Sequence, residues 1–243
     1  MDTLSHAQIK WIKSLSSKKY RDEYGSFTVE GEKLVEEALR SGYEVTGLWR
    51  REEIGDAAMA RISSLASPSP VLAVVRKPAD LHTPVKPEKG LFLALDSIRD
   101  PGNLGTILRI ADWFGIDAVY ASPDTVDVFN PKVVQSTMGA IFRVKFHYVE
   151  LEPFLLEIRR NGGAVYGTFL DGRNLYAATL SHGKEHPCVI VMGNESEGIS
   201  QPLEACVTDR LLIPPYPADD PGSESLNVAV ATAITVAEFR RRG

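Results

Sequence analysis

Three segments of this 243-residue sequence combine glycine, asparagine and acidic residues at the end of, or shortly after, apolar runs of strand length. They span residues 100–109, 192–200 and 213–227. In parallel sheets, ligands bind beyond the carboxyl ends of the strands, where glycine lets a ligand approach the backbone closely. The pattern therefore predicts a binding or catalytic site assembled from these three segments.

The first segment contains two candidate residues, Asn103 and Arg109. Asn103 is open to two interpretations, a ligand-binding amide or a cap at the start of a helix. Arg109 falls in a predicted helix one turn after Gly105, and the glycine leaves room for a phosphate to reach the guanidinium. The alternative for Arg109 is a surface pair with Asp112, worth only about 0.2–0.5 kcal/mol.

The second and third segments add polar residues that each have a simpler structural interpretation. Glu195 and Glu197 either accept hydrogen bonds from a ligand or form an acidic approach to the next helix, favoured by its dipole. Ser225 and Asn227 open the last predicted helix, so they contact a ligand or cap that helix.

Several other kinds of site are disfavoured. The sequence has no G-x-G-x-x-G dinucleotide fingerprint, no P-loop and no G-x-S-x-G nucleophile elbow. His182 and His186 are spaced as metal ligands, but Gly183 and Pro187 place them in a loop without an evident third ligand. We therefore expect no metal.

The elements that must position these residues follow a regular order after residue 90. Apolar strands are predicted at residues 91–95, 118–120, 144–149, 164–170, 188–192 and 211–213. Helices are predicted at residues 103–114, 131–138, 153–160, shortly after 200, and 226–241. This alternation predicts an α/β fold, a mostly parallel sheet with helices on both faces. The last helix is apolar nearly all round, which predicts full burial, partly in a subunit interface.

The first 80 residues form a separate small α/β unit in this interpretation. A stretch rich in proline and charge then marks a linker. The predicted domains are residues 1–80, a linker at 81–89, and residues 90–243.

Composition limits the partners and the compartment. The net charge of −5 and the pI of about 5.6 argue against binding nucleic acid by bulk charge, but leave room for a local basic patch. One such cluster consists of Lys10, Lys13, Lys18, Lys19 and Arg21, and a second is the run of arginines at 240–242. The alternative for each is a solvated helix face.

No apolar run approaches about 18 residues and the first residues lack a secretion signal, so we expect neither a membrane span nor export. The two cysteines, Cys188 and Cys206, are interpreted as small apolar residues in a reducing compartment. We expect a cytoplasmic protein.

Taken in order, the three segments resemble the motifs of the SpoU (TrmH) family of RNA ribose 2′-O-methyltransferases, within the SPOUT superfamily. The matching stretches are DPGNLGTILR at 100–109, VMGNESEG at 191–198, and Ile213-Pro214 with SLNV at 225–228. Residues 136–142, STMGAIF, are similar to the segment between the first two motifs. FTVEG at 27–31 and LVEEA at 34–38 resemble an RNA-binding extension related to ribosomal protein L30e.

The resemblance implies a trefoil knot near the carboxyl end, a homodimer, and S-adenosylmethionine bound in the knot. It implies cofactor contacts for Thr168, Met192, Gly193, Ile213 and Leu226. It also implies catalytic or substrate-holding roles, which fall on Asn103, Arg109, Glu195, Ser225 and Asn227. The L30e-like residues 1–80 would bind RNA, with the cluster from Lys10 to Arg21 and the arginines at 240–242 contacting phosphates.

Within this resemblance, Arg109 is expected to bind the phosphate next to the reacting 2′-hydroxyl. Its positive charge would lower the effective pKa of that hydroxyl. A literal base role is disfavoured, because the arginine pKa lies above about 12. One stretch departs from the family pattern: residues 215–223 form a longer, acidic, proline-rich loop with Asp219 and Asp220. That loop predicts a cofactor rim whose local geometry differs from the family pattern.

Ribosomal RNA is the preferred substrate at this point and transfer RNA the second. A non-catalytic RNA-binding factor involved in ribosome assembly remains the alternative from another class, and a nicotinamide-dependent dehydrogenase is disfavoured by the missing fingerprint.

Overall fold

The computed structural model of the chain describes residues 4–79, 87–217 and 224–243. Most of the predicted linker, together with Asp219 and Asp220 of the acidic loop, lies outside the described residues. Two units are present. One contains the described residues up to 79 and residues 127–143, and the other contains the remaining described residues.

The helices and strands are numbered in chain order. The helices are α1 (His6–Ser14), α2 (Lys18–Tyr24), α3 (Glu32–Arg40), α4 (Arg51–Ile54), α5 (Asp56–Ile62), α6 (Pro101–Trp113), α7 (Pro131–Thr137), α8 (Leu151–Arg160), α9 (Gln201–Glu204) and α10 (Val228–Arg242). The strands are β1 (Ser26–Glu30), β2 (Val45–Arg50), β3 (Val71–Arg76), β4 (Gly90–Leu95), β5 (Ala118–Ala121), β6 (Phe146–Tyr148), β7 (Ala164–Asn174), β8 (Pro187–Met192) and β9 (Asp209–Leu212). A short 3-10 turn, Ala140–Phe142, follows α7.

The first unit is built on an antiparallel three-stranded sheet in the order β1-β3-β2. Its core packs α1 and α5 against β3 through apolar residues that include Ile12, Met59 and Leu72. The segment 127–143 also belongs to this unit, and the Phe129 ring lies 4.4 Å from that of Phe27 in β1. In the sequence this segment falls inside the predicted domain 90–243. The assignment of separate roles to the predicted domains stays a prediction.

The second unit contains a six-stranded sheet in the order β6-β5-β4-β8-β7-β9, with every neighbouring pair parallel. The strands β4, β5 and β8 are almost wholly buried, as their continuous apolar sequences require when helices cover both faces. The predicted α/β fold with a mostly parallel sheet is confirmed.

Register brings the candidate segments to one edge of this sheet. Leu95 at the end of β4 pairs with Met192 at the end of β8, and Thr168 of β7 pairs with Leu211 of β9. The segments that follow β4, β8 and β9 therefore leave the sheet side by side at its carboxyl edge, where parallel α/β folds bind ligands.

The last helix, α10, is buried along one face only. Val228, Thr232, Val236 and Phe239 are buried, whereas Val230 on the other face is 49% exposed. The chain alone thus buries one face of α10, and burial of the remaining apolar surface in a subunit interface stays a prediction. None of the described helices is both long and apolar enough to span a membrane.

Candidate functional site

Asn103 connects the three candidate segments through its side-chain amide. Its Nδ2 atom donates to Glu195 Oε1 at 2.9 Å, and its Oδ1 atom accepts from Asn227 Nδ2 at 2.9 Å. Asn103 lies in the first turn of α6 after β4, Glu195 in the loop after β8, and Asn227 directly before α10. The structure thus brings three of the five predicted catalytic residues into one row, hereafter the Asn103 row.

Asp100, rather than Asn103, caps α6. The Asp100 carboxylate accepts a hydrogen bond of 2.8 Å from the Asn103 backbone N–H, and Pro101 occupies the first helical position. The capping alternative for Asn103 is therefore wrong, because its side chain instead contacts the other two segments.

Asn227 uses both ends of its amide. Its Oδ1 atom accepts from the backbone N–H groups of Ala229 and Val230, at 2.9 and 3.3 Å, and so caps α10. Its Nδ2 atom is then directed to Asn103. The capping interpretation of Asn227 is confirmed, and the cap fixes the orientation of the amide toward Asn103. A contact of Asn227 with a ligand stays a prediction.

Glu195 lies on a tight turn after β8. Asn194 and Gly198 exchange backbone hydrogen bonds of 2.8 and 3.0 Å across this turn. Gly193 is required beside it, because a Cβ atom at that position would lie 2.2 Å from the carbonyl carbon of Gly198. The turn leaves Glu195 exposed beside Asn103 rather than in the sheet.

Two residues that we did not single out from the sequence hold this turn, Asp96 and Ser97. The buried Asp96 carboxylate accepts from the Ser200 backbone N–H at 2.7 Å. The Ser97 carbonyl accepts from Asn194 Nδ2 at 2.7 Å. These bonds join the end of β4 to both ends of the Glu195 turn, and an acidic residue directly after an apolar strand was the available sequence signal for Asp96.

Ser97 has a left-handed backbone with φ of 57°, which is uncommon for a residue other than glycine. Its backbone N–H donates to Ser122 Oγ at 2.8 Å, and its hydroxyl donates to Asp124 at 2.6 Å. Burial raises the pKa of Asp124, but hydrogen bonds from Ser122 and Ser97 more than offset this, and its pKa lies below the usual value. An ionised Asp124 thus helps to hold Ser97 in this conformation.

Arg109 lies outside the Asn103 row. Its side chain is exposed in the third turn of α6 and makes no hydrogen bond or ion pair with any residue that the structure describes, Asp112 included. The alternative of a surface pair between these two residues is therefore wrong. Arg109 is a solvated cation on the helix that begins at the row, which suits a contact to a phosphate of a bound ligand.

The predicted cofactor residues lie within β7, at the carboxyl ends of β8 and β9, and before α10. The Thr168 hydroxyl is 3.9 Å from the sulfur of the buried Met192, and Gly193 follows Met192 directly. Ile213 is half-buried just beyond β9, and Leu226 is exposed before α10. Incompletely buried apolar side chains beside polar loop ends suit a ligand that carries an apolar ring and polar groups.

Ser225 is exposed, and within the described part of the chain its side chain has no hydrogen-bond partner. Its neighbour Asn227 caps α10 instead. Across the described ranges, no cluster of three histidine, cysteine or acidic side chains is placed to bind a metal ion.

The predicted basic patch needs one correction. Lys10, Lys13, Lys18 and Lys19 are exposed, but Arg21 is only 2% exposed. Its guanidinium donates to the Asp127 carboxylate at 2.6 and 2.9 Å and to two backbone carbonyls. A buried, paired guanidinium cannot reach a phosphate, so the patch consists of the four lysines.

The arginines at 240–242 are also engaged within the chain. Arg240 donates to the carbonyls of Phe114 and Gly115, and Arg241 and Arg242 both bind Glu238. Hydrogen bonds from Arg241 and Arg242 lower the pKa of Glu238 to about 2. These contacts explain the run as an anchor for the end of α10, in place of the predicted phosphate contact.

Two family models match this chain, one over each of its two parts. Residues 90–237 match the model of the SpoU rRNA Methylase family, and residues 6–77 match the MRM3-like substrate binding domain. A relative of known name is the 23S rRNA (guanosine(2553)-2′-O)-methyltransferase RlmP of Bacillus subtilis. It is 31% identical, over 99% of this chain and 98% of its own length.

Two solved structures extend the likeness to the whole fold. One is a putative RNA methyltransferase of the TrmH family from Porphyromonas gingivalis, with a TM-score of 0.88 and 42% identity. It matches over 99% of this chain and 100% of its own. The other is an AdoMet-bound rRNA methyltransferase from Sinorhizobium meliloti, with a TM-score of 0.87 and 30% identity, covering 100% of this chain and 97% of its own. The resemblance found in the sequence is confirmed: the chain belongs to the SpoU rRNA methylase family.

Proposed function

We propose that this protein transfers the methyl group of S-adenosylmethionine to the ribose 2′-hydroxyl of a nucleotide in ribosomal RNA. The observation that carries the proposal is the Asn103 row, which joins the three motif segments at the carboxyl edge of the sheet. Family membership supports the reaction type. Ribosomal RNA is favoured over transfer RNA because the relatives with rRNA in their names match nearly the whole chain.

The cofactor occupies the carboxyl edge formed by β7, β8 and β9 in this proposal, with contacts from Thr168, Met192, Gly193, Ile213 and Leu226. The apolar Ile213 and Leu226 suit the adenine ring, and the backbone of the turn at Gly193 suits the polar groups of a nucleoside. When bound, S-adenosylmethionine would supply a methyl group on a positively charged sulfonium, and in-line attack of the ribose oxygen on that methyl group would release the cofactor as a neutral thioether.

The side chains of this chain orient and activate the ribose. Arg109 binds the phosphate next to the target nucleotide, and its positive charge lowers the effective pKa of the 2′-hydroxyl, whose proton passes to water. Ser225 and the Asn103 row hold the nucleotide, since an exposed amide and carboxylate can bind ribose or base edges. Positioning supplies much of the rate in an in-line displacement.

The proposal includes a homodimer with a trefoil knot in each chain. Support for the dimer comes from the apolar surface that the second unit leaves uncovered on two helices, with Trp113 of α6 84% exposed and Val230 of α10 49% exposed. Light scattering of the purified protein measures the mass, and a Trp113→Glu variant at half the wild-type mass is the expected result.

We also place the protein in the cytoplasm, supported by the two free and buried cysteines.

The direct test of substrate class is transfer of labelled methyl from S-adenosylmethionine to RNA from cells that lack this protein. We expect label in ribosomal RNA after separation by size, and none in transfer RNA. Label in transfer RNA alone would show that the substrate is transfer RNA and not ribosomal RNA. Absence of label from free RNA and from ribosomal subunits, with the cofactor still bound, would favour a non-catalytic RNA-binding factor.

A further inference from the structure

Two exposed tyrosines lie in parallel on the short helix α2. The ring centroids of Tyr20 and Tyr24 are 6.2 Å apart, and the ring planes differ by only 14°. The residues are 37% and 42% exposed, so a substantial part of each remains in contact with solvent. The helical spacing of four residues places both rings on one side of α2.

The helix that presents these rings is held firmly from its other side. Arg21, between the two tyrosines in sequence, donates to the carbonyls of Leu15 and Ser16 at 2.8 Å and to the Asp127 carboxylate. Gly25 ends the helix in a left-handed conformation with φ of 58°. The rings therefore occupy a fixed surface, and little side-chain freedom is lost when a flat ligand binds there.

The surroundings of the pair suit a polyanion. Lys19 Nζ lies 5.6 Å from the centre of the Tyr20 ring. Lys18 and Lys77 both pair with Asp22, at 2.6 and 2.5 Å, so that carboxylate is neutralised. With Lys10 and Lys13 on α1, the exposed residues of α1 and α2 include four lysines against Asp22 and Glu23, although the chain as a whole has a net charge of −5.

We propose that Tyr20 and Tyr24 form a stacking platform for unpaired bases of the RNA substrate, while the neighbouring lysines contact its phosphates. This inference rests on the proposed function, because it assumes an RNA substrate. Proteins that read single-stranded RNA stack its bases on exposed aromatic rings and follow its backbone with basic side chains. The platform gives the first unit a preference for loops or bulges over duplex RNA.

The test measures the affinity of the full chain for an oligoadenylate of twelve nucleotides and for an RNA duplex of twelve base pairs. We expect a Tyr20→Leu, Tyr24→Leu double variant to bind oligoadenylate about tenfold or more weakly, with a much smaller change for the duplex. A Tyr20→Phe, Tyr24→Phe variant keeps both rings and should bind within about twofold of the wild type. The matched control is Tyr176→Leu, a tyrosine of the second unit that is 49% exposed.

Methyl transfer separates this inference from the proposed function. At saturating ribosomal RNA the double leucine variant should keep kcat and cofactor affinity and show only a raised KM. A wild type that transfers methyl groups while the leucine variant keeps its KM and its oligoadenylate affinity would overturn the platform alone. Equal wild-type affinity for duplex and oligoadenylate would overturn it as well. If the double variant unfolds, the single variant Tyr24→Leu, expected to bind oligoadenylate at least about threefold more weakly, decides the question.

Discussion

The Asn103 amide nitrogen lies 2.9 Å from a carboxylate oxygen of Glu195, 92 residues further along the chain. Both amide atoms of Asn103 are committed, since its oxygen accepts from Asn227. A carboxylate can only accept and the Asn227 nitrogen can only donate, so a side-chain amide at position 103 satisfies both neighbours at once. This polarity makes the row testable by exchange of donors and acceptors.

Asn103→Asp should destabilise the protein, because it places a second carboxylate against Glu195. We expect a loss of about 1 kcal/mol in the free energy of unfolding at neutral pH, a modest value because the row is exposed. Adding Glu195→Gln supplies a donor to the carboxylate introduced at position 103 and should restore most of that loss. Urea unfolding of the two single variants and the double variant measures the coupling.

Glu197→Gln is the matched control for this exchange, since it removes a neighbouring carboxylate outside the row. Combined with Asn103→Asp it should restore nothing. Strictly additive effects of Asn103→Asp and Glu195→Gln would show that the two side chains are not coupled in solution.

Asp96→Ala should weaken cofactor binding indirectly, through the position of the Glu195 turn. The buried Asp96 carboxylate holds the Ser200 backbone N–H, and its loss frees one end of the Glu195 turn. We expect about 1.5–3 kcal/mol less stability in urea unfolding. Calorimetric titration with S-adenosylmethionine should show several-fold weaker binding. Asp96→Asn keeps an acceptor oxygen and should lie between the wild type and the alanine variant; equal cofactor affinity in all three would contradict the positioning role.

Arg21→Ala should lower the stability of the fold, because Arg21 is buried and paired. Removal of this guanidinium leaves the carboxylate of Asp127, itself mostly buried, without its cationic partner, which costs about 3–5 kcal/mol. Lys18→Ala breaks only an exposed ion pair with Asp22 and should cost less than about 1 kcal/mol. Thermal unfolding of both variants distinguishes the two roles. An Arg21→Ala variant as stable as the wild type would return Arg21 to the RNA-binding candidates.

Glu238 gives the protein an acid-sensitive contact at the end of α10. Its pKa is lowered from the usual 4.5 to about 2 in the folded chain by hydrogen bonds from Arg241 and Arg242. Below pH 4.5 the unfolded chain takes up this proton before the folded chain does, so the stabilisation is present above that pH and is lost as the pH falls towards 2.

Glu238→Gln removes this titration. The variant should be less stable than the wild type at pH 7, and the difference in melting temperature should shrink between pH 4.5 and 2. A difference that stays constant over this interval would mean that Glu238 does not titrate with the lowered pKa.

Sequence patterns predicted the elements of the second unit well, because β4, β5 and β8 are continuous apolar runs and the loops of the site are rich in glycine and polar residues. The same patterns left Asn103 ambiguous, although Asp100 three residues earlier was the better cap. The burial and pairing of Arg21 could not be predicted from the sequence, because its partner Asp127 lies 106 residues away and belongs to the segment 127–143. Local composition cannot show which unit such a segment joins. The arginines at 240–242 were predicted to contact phosphates for the same reason. Their partners include backbone carbonyls on loops that are distant in sequence, which local composition does not show.

The central claim is ribose methylation that depends on Arg109, and alkaline hydrolysis of the labelled product tests it most directly. Methylation of a 2′-hydroxyl blocks cleavage of the adjacent phosphodiester, so the wild type should yield its label in an alkali-resistant dinucleotide. Arg109→Ala should lower the rate by about a hundredfold or more, as expected when a charge that stabilises the developing oxyanion is removed, with cofactor affinity within about twofold. Label released as single nucleotides would contradict ribose methylation, and loss of cofactor binding in Arg109→Ala would contradict the role assigned to Arg109.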